Sequence, residues 1–147
     1  MIKVLKFGGT SVGSAANMKK VAEIVRREQA RITVLSAMSG TTDSLVRISR
    51  AAASGDRNAI EEQLAMLTDK YTRCIEELLR ERKQQALARM NATFGLIRDE
   101  AAAFAEYESE RKIIAQGELL TSAIFTAYLQ ETGLKAECLY SPDFMVK

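Results

Sequence analysis

A lysine, two adjacent glycines and two hydroxyl side chains lie close together near the start of the chain. They form the segment Lys6-Phe7-Gly8-Gly9-Thr10-Ser11, which follows a short apolar run. Glycines between a strand and a helix expose backbone N–H groups, and the helix N-terminus adds partial positive charge. This combination is typical of a phosphate site and predicts nucleotide or phosphoryl chemistry. The alternative is an ordinary strand-to-helix turn in which glycine only relieves backbone crowding.

The spacing of this segment argues against two common nucleotide-binding loops. In a P-loop the lysine follows the glycines, whereas Lys6 precedes them. The dinucleotide pattern Gly-x-Gly-x-x-Gly is not met by residues 8–13, and no lone acidic residue ends a following strand to hold a ribose. Any phosphate site here therefore has a different construction.

A second group of small and hydroxyl residues spans Ser36-Ala37-Met38-Ser39-Gly40-Thr41-Thr42-Asp43. One hydroxyl suffices to cap the helix predicted at Ser44 to Ala53, and capping is the structural alternative for this loop. Four hydroxyls around a glycine exceed that need. We therefore predict a binding role for the loop.

A third motif, Gln116-Gly117-Glu118-Leu119-Leu120-Thr121-Ser122, falls in a helix predicted at about Glu110 to Glu131. Glu118 shares a helical stripe with apolar residues, and burial of an unpaired carboxylate costs on the order of several kcal/mol. We therefore expect a cationic partner for Glu118, either a lysine of the fold or the ammonium of a ligand. Gly117 beside it would allow a close approach to the backbone.

Composition indicates one ordinary soluble globular domain. The 147 residues are 47% hydrophobic and 27% charged, and the net charge of +2 does not favour nucleic acid or a membrane surface as a partner. The absence of histidine removes imidazole bases and imidazole metal sites. No segment reaches transmembrane length and no signal peptide is evident, so we expect a cytoplasmic protein. Cys74 and Cys138 are expected to be reduced and buried.

The first elements predict a βαβ unit. Met1 to Phe7 and Arg31 to Ala37 are typical of strands, and Ala16 to Gln29 has helical spacing of its apolar residues. Such a unit gives parallel strands joined by a right-handed crossover. Both small-residue loops would then lie at the carboxyl edge of the sheet, where ligands bind in such folds.

A helical hairpin is predicted at about residues 57–107. Two apolar seams with alternating spacings of four and three residues are separated by a polar break at Lys83-Gln84-Gln85. The long third helix is expected to end at Gly133, followed by a third strand from Lys135 to Tyr140. The seams are Ile60, Leu64, Leu67, Tyr71, Cys74 and Leu78, then Leu87, Met90, Phe94, Ile97, Ala101 and Phe104.

The three motifs, in this order, closely resemble those of aspartokinases of the amino acid kinase family, and the resemblance extends over the whole chain. Other members, acting on acetylglutamate, glutamate, carbamate or UMP, share only a shorter Lys-x-Gly-Gly pattern. The resemblance implies an α/β fold: a parallel-sheet αβα sandwich of the amino acid kinase (carbamate kinase-like) type with a helical hairpin insertion.

The resemblance also implies an activity, which is ATP-dependent phosphorylation of the side-chain carboxylate of L-aspartate to 4-phospho-L-aspartate. This reaction opens lysine, threonine and methionine biosynthesis, and Mg²⁺ would arrive with ATP rather than at a resident metal site. The full-length enzyme would be a homo-oligomer. By resemblance, Lys6 would neutralise the transferring phosphoryl group, and Gly8 and Gly9 would bind phosphates in a pocket lined by Thr10 and Ser11. The aspartate would be contacted by Ser36, Ala37 and Thr42, and Glu118 would accept its α-ammonium.

The family continues with a Gly-Arg-Gly-Gly-Ser-Asp segment, a nucleotide-binding half and ACT domains, none of which is present in residues 1–147. We therefore expect this chain to be the N-terminal half of a kinase domain and inactive alone. Two alternatives stay open. One is a non-catalytic binding or self-associating module, and the other is a kinase of another small carboxylate or carbamate.

Overall fold

The computed structural model describes residues 2–139 as an α/β arrangement rich in helix. In chain order the elements are β1 Val4–Phe7, α1 Ala15–Glu28, β2 Ile32–Leu35, α2 Thr41–Ser54, α3 Arg57–Leu78, α4 Lys83–Ala102 and α5 Glu106–Glu131. The order strand, helix, strand at the start confirms the predicted βαβ unit.

β1 and β2 pair in parallel, with Val4 opposite Ile32 and Phe7 opposite Leu35. Both strands are shorter than predicted, but they end at the same edge of the sheet. The two small-residue loops therefore leave the sheet side by side, as the sequence predicts.

The helix between the strands has a defined cap at each end. Ser14 Oγ accepts a hydrogen bond from the backbone N–H of Asn17, 3.1 Å away, at the start of α1. Gln29 follows the helix in the left-handed conformation, with φ 52°. The prediction of this helix is confirmed to within one residue at each end.

The hairpin consists of α3 and α4, which pack against each other. Tyr71 and Phe94 meet edge to face with ring centroids 5.9 Å apart, and Arg98 binds both carboxylate oxygens of Glu61 on the exposed side. Within the first seam, every predicted residue from Ile60 to Leu78 is buried. This packing confirms the hairpin.

The break between the two helices lies at residues 79–82, earlier than predicted. The Glu131 carboxylate accepts the backbone N–H groups of Arg80 at 2.8 Å and Arg82 at 2.9 Å. Glu131, far away in the sequence, thus accepts backbone N–H groups that a continuous helix would bond internally. The residues Lys83-Gln84-Gln85, predicted as the break, form the start of α4.

The core is formed mainly where α2, α3, α4 and α5 pack together, with α1 against α3 and β2 against α5. Fully buried side chains come from each of the helices that meet there. They include Met18, Leu45, Ile48, Leu64, Tyr71, Ile97, Ile113 and Ile124. Over residues 2–139, no helix combines the length and the apolar character that crossing a membrane requires.

The third strand is absent from the described part of its predicted range, residues 135–139. Gly133 is left-handed, with φ 96°, as predicted for the residue after the helix. The backbone beyond it is bound by the preceding helix, since Gln130 Nε2 donates to the Ala136 carbonyl at 2.7 Å. Within residues 2–139, no neighbouring strand supplies the hydrogen bonds that a strand needs. Tyr140 and the Ser141-Pro142 step lie outside the described residues.

The two cysteines differ in environment. Both are free thiols, but Cys74 is buried whereas Cys138 is exposed. The prediction of burial was therefore wrong for Cys138. It rested on the wide spacing of the two cysteines in the sequence, whereas the segment that contains Cys138 is irregular and lies at the surface.

Candidate functional site

The two small-residue loops are joined by backbone hydrogen bonds. The N–H of Ser36 donates to the Phe7 carbonyl, and the N–H of Ser39 donates to the Gly9 carbonyl, both at 3.1 Å. These bonds continue the contact between the two segments beyond the ends of β1 and β2. They place the first loop, residues 8–14, directly against the second loop, residues 36–40.

The two glycines of the first loop have different surroundings. A Cβ on Gly9 would lie 2.8 Å from the Ala37 carbonyl oxygen and 3.3 Å from the Ser39 nitrogen. Only glycine therefore allows the second loop to approach so closely. Gly8 is exposed, and a Cβ there would meet nothing within 4 Å. The space beside Gly8 is open to a ligand.

Lys6 lies on β1 opposite Val34 and is exposed. Its neighbours Leu5 and Phe7 pack against the core, so the alternation of a strand directs Lys6 away from it. Of the ion pairs within residues 2–139, none includes Lys6. Its ammonium is thus available two residues before the open side of Gly8.

Helix α5 reaches the second loop at Gly117. A Cβ on this residue would lie 3.0 Å from Ala37 Cβ, 3.1 Å from Leu45 Cδ1 and 3.2 Å from Thr41 Cγ2. The close approach predicted at Gly117 is therefore made by the chain's own second loop and by the first turns of α2. It brings the third motif to the same place as the first two.

Glu118 is exposed, so the predicted burial of this carboxylate was wrong. The buried face of α5 passes through Ile113, Gly117 and Thr121, and each residue advances about 100° around a helix, which turns Glu118 out of that face. In the described part of the chain Glu118 makes no ion pair. The lysine that was one alternative for its partner is not found there, and the ligand ammonium stays a prediction.

A buried chain of hydrogen bonds connects the second loop, the hairpin and α5. The hydroxyl of Tyr71 lies 3.1 Å from Thr41 Oγ1 and 3.2 Å from Thr121 Oγ1, which also accepts the N–H of Met38 at 3.3 Å. Tyr71 is completely buried, and burial raises the pKa of its phenol, so the hydroxyl stays neutral. These hydrogen bonds hold the second loop against α3 and α5.

The capping hypothesis for the second loop was wrong, because the residue at the N-cap of α2 is a glycine. Helix α2 begins at Thr41, and its N-cap is Gly40, which has φ 83° and provides no side-chain hydrogen bond. The hydroxyl of Thr41 binds Tyr71 instead, while Thr42 in the first helical turn is exposed. The loop hydroxyls therefore divide between internal packing and the surface.

The remaining predicted site residues lie at or near the surface. Ser36 is half-buried, whereas Thr10 and Ser11 are exposed; the Thr10 carbonyl accepts a hydrogen bond from Asn17 Nδ2 at 3.1 Å. The three motifs are joined by the close packing of Gly9, Ala37 and Gly117 and by the bond from Met38 N–H to Thr121 Oγ1. The side chains of Thr42 and Glu118 are not joined to the first loop by any described hydrogen bond.

Sequence reasoning missed two residues of α3 that belong to this site. Tyr71 was assigned only to an apolar seam, and Lys70 was not considered, although its ammonium donates to the carbonyl of Ser39. A tyrosine among aliphatic seam residues was the available signal, because a buried hydroxyl needs a partner. Nothing in the sequence marks Lys70 out among the lysines and arginines of the chain.

The donor set of the described residues does not form a resident metal site. Over residues 2–139, no group of three or more histidine, cysteine, aspartate or glutamate side chains is placed to hold a metal ion. The geometry places the exposed Lys6 two residues before the exposed Gly8. The first loop packs against the second loop, which in turn packs against α5 at Gly117. An exposed ammonium such as that of Lys6 is a suitable partner for a phosphate group.

Comparison with known proteins identifies the family of this chain. The model of the amino acid kinase family matches residues 1–146. The chain belongs to the amino acid kinase family. The α/β class with parallel strands is therefore confirmed, while the handedness of the crossover and the division of the domain stay predictions.

Two curated relatives of this amino acid kinase chain are aspartokinases. The aspartokinase of Chlamydia muridarum is 31% identical over 137 residues, which are 92% of this chain and 29% of that protein. Aspartokinase 1, chloroplastic, of Arabidopsis thaliana is 35% identical over 149 residues, covering 90% of this chain and 24% of the relative. The chain thus spans less than a third of either relative.

A solved structure has the same fold. The crystal structure of E. coli aspartokinase III in complex with aspartate and ADP matches with a TM-score of 0.79 and 26% identity, covering 93% of this chain and 30% of that protein. The similarity includes nearly all of the described elements.

Proposed function

We propose that this chain forms the aspartate-binding and phosphate-facing part of an aspartokinase, which phosphorylates the side-chain carboxylate of L-aspartate with ATP. The observation that carries this proposal is the meeting of the three motifs around Ala37, whose carbonyl contacts Gly9 and whose Cβ contacts Gly117. Relatives of this chain are named aspartokinases, and one related structure is described as a complex with aspartate and ADP.

Phosphoryl transfer depends mainly on positioning and charge neutralisation, so a site without histidine is suited to it. In this proposal Lys6 neutralises the transferring group, and the backbone amides of Gly8 and Gly9 bind phosphate oxygens. Thr10 and Ser11 line the same pocket. ATP enters with Mg²⁺ as its substrate complex, which reduces the charge on the phosphates.

The aspartate side of the site consists of Ser36 and Ala37 in the second loop, Thr42 in the first turn of α2 and Glu118 on α5. Glu118 accepts the α-ammonium of the substrate in this proposal. Its exposure and its lack of an ion pair in the described structure support that role, because the carboxylate is free to bind a cation.

The product, 4-phospho-L-aspartate, is the first intermediate of lysine, threonine and methionine biosynthesis. We place the enzyme in the cytoplasm and as a homo-oligomer at full length, with no nucleic acid or membrane partner. We also expect no turnover from the 147-residue polypeptide alone, since the chain covers less than a third of each relative.

Calorimetric titration of the 147-residue polypeptide with L-aspartate tests the proposal. We expect saturable binding that Glu118→Gln weakens by about tenfold, through loss of a charge-assisted hydrogen bond. Glu108→Gln is the matched control, because Glu108 is an exposed glutamate on the same helix. L-Glutamate serves as the competing small carboxylate.

Absence of heat with L-aspartate would contradict the aspartate site in this polypeptide. Equal affinities in the Glu118→Gln and Glu108→Gln variants would contradict the role of Glu118. Stronger binding of L-glutamate than of L-aspartate would favour a kinase of another carboxylate.

A second candidate function is a self-associating module without catalysis. One observation favours it: Val4, Ile32 and Val34 lie on adjacent strands with 58%, 52% and 45% of their surfaces exposed. Such an apolar row favours association. Light scattering coupled to size exclusion separates the candidates, since a dimer that Val34→Glu dissociates, with no aspartate binding, would support this second function.

A further inference from the structure

Lys70 joins the helical hairpin to the second loop of the site. Its ammonium donates a hydrogen bond to the Ser39 carbonyl and lies 3.7 Å from the position that a Cβ on Gly40 would occupy. The side chain is half-buried, and this burial lowers the pKa of the ammonium. Lys70 is therefore partly withdrawn from water to reach a backbone carbonyl.

The nearest acidic residue along the helix does not hold Lys70. Asp69 pairs with Arg73 at 3.0 Å, and Lys70 has no ion pair in the part of the chain that the structure describes. A lysine that only solvated the helix surface would keep its ammonium in water. The contact with Ser39 needs a different explanation.

Ser39 is held from both sides. Its N–H donates to the Gly9 carbonyl at 3.1 Å, and its own carbonyl accepts the Lys70 ammonium. A hydrogen bond from a charged donor is roughly twice as strong as a neutral one. The second loop is thus bound to the first loop by one group of Ser39 and to the hairpin by the other.

The residue after Ser39 is where the chain turns into helix α2. Gly40 has φ 83°, and its carbonyl accepts the N–H of Ser44 at 3.2 Å. Thr42 lies in the first turn of that helix. The Ser39-Gly40 turn therefore leads directly into the helical turn that carries Thr42.

We propose that Lys70 is a positioning residue of the site: by binding the Ser39 carbonyl it fixes the Ser39-Gly40 turn and sets the place of Thr42 relative to Gly9. Together with its neighbour Tyr71, it makes α3 a support of the binding loops. The expected effect on aspartate affinity rests on the proposed function, whereas the effect on the loop itself does not.

Amide hydrogen exchange of the 147-residue polypeptide, followed by NMR, tests this role without any ligand. In Lys70→Met we expect the amides of Ser39 and Thr41 to exchange about tenfold faster, because the turn opens locally more often. Lys70→Arg should restore most of the protection, since it keeps a charged donor. Arg73→Met, which alters the other basic residue of the same helix turn, is the control and should leave these amides unchanged.

Titration with L-aspartate provides the second readout. We expect Lys70→Met to weaken binding by about tenfold and Lys70→Arg to recover most of it, with unfolding midpoints in urea that stay close to the parent value. This pattern would separate positioning of the loop from general stabilisation of the fold.

Three exchange results would overturn the proposal. They are unchanged exchange at Ser39 and Thr41 in Lys70→Met, faster exchange throughout α4 as well as the loop, and Lys70→Arg behaving like Lys70→Met. Failure of the parent polypeptide to bind L-aspartate would contradict the proposed function instead, and the exchange measurements would still decide the role of Lys70.

Discussion

Adjacent residues of the site motifs belong to two layers with different constraints. Thr41 and Gly117 are buried, whereas Thr42 and Glu118, which follow them directly in sequence, are exposed. The buried layer consists of Ala37, Met38, Thr41, Tyr71, Gly117 and Thr121, and the exposed layer of Lys6, Gly8, Thr10, Ser11, Thr42 and Glu118.

The difference shows which demands the fold makes and which a ligand makes. In the buried layer every named polar side chain has a partner within the chain, through the bonds that meet at Tyr71 and Thr121. In the exposed layer Lys6 and Glu118 have no ion pair within the described residues. Substitutions in the buried layer should therefore mainly lower the free energy of unfolding, whereas substitutions in the exposed layer should mainly weaken ligand binding or catalysis.

The largest loss of stability is expected at Tyr71. Tyr71→Ala removes a completely buried ring and should lower the free energy of unfolding by about 3–5 kcal/mol. Tyr71→Phe keeps the ring but leaves the hydroxyls of Thr41 and Thr121 without their shared partner, at a cost of about 1–3 kcal/mol. Urea unfolding measures both variants. Equal stability of Tyr71→Phe and the parent would mean that the network does not support the fold.

The next largest effect compares two helical glycines. A Cβ on Gly117 would meet three atoms at 3.0–3.2 Å, whereas a Cβ on Gly95 would meet nothing within 4 Å. Gly95→Ala should stabilise the protein by about 1 kcal/mol through helix propensity. At Gly117 crowding should offset that gain, so that the two variants differ by about 1–3 kcal/mol in unfolding free energy. Equal gains at both positions would show that Gly117 is not closely packed.

A smaller effect depends on pH. Burial raises the pKa of the Cys74 thiol to about 11, so the thiol stays neutral in the folded protein after the unfolded thiol ionises. This contribution to stability is complete below the unfolded pKa of about 8.5 and is lost as the pH rises toward the folded pKa.

Comparison of the parent with Cys74→Ala isolates that contribution from other groups. Between pH 8 and pH 10 the parent should lose about 1–2 kcal/mol more stability than the variant, as measured by urea unfolding. Parallel pH profiles would contradict the raised pKa. Exposed Cys138 provides the contrast, since its thiol should react with a thiol reagent at pH 8 while Cys74 does not.

The smallest effects on stability are expected in the exposed layer. Lys6→Ala and Glu118→Ala should each change the unfolding free energy by less than about 0.5 kcal/mol, because both side chains are exposed. In the intact enzyme Lys6→Ala should lower kcat more than it raises the KM for aspartate, and Glu118→Ala should mainly raise that KM. An unchanged kcat in Lys6→Ala, or an unchanged KM in Glu118→Ala, would contradict the assigned role.

Much of the fold could be predicted because local patterns record it. The seam from Ile60 to Leu78 shows the buried face of α3, and the apolar spacing of Ala16 to Gln29 locates α1 to within one residue at each end. The third strand could not be predicted in this way, since a strand needs a partner and the sequence of residues 135–139 does not show whether one is present.

The site was predictable as a set of motifs but not as a set of contacts. Glycine at position 117 suggested a close approach, yet the approaching groups are the second loop and the start of α2 in the same chain. Glu118 was expected to be buried because it shares a helical stripe with apolar residues that precede and follow it, such as Ile114 and Phe125. The true face of α5 is set by which residues meet α2 and α4.

The sequence by itself determined the βαβ start, the hairpin, the three motifs and their resemblance to aspartokinases, because residue types and periodicity are sufficient for these. Tertiary structure alone decided which motif residues are buried, how Ala37 joins the three motifs, and that Lys70 and Tyr71 of the hairpin hold the second loop. The physical reason is that these contacts join residues far apart in the chain, and no local pattern specifies which of them meet.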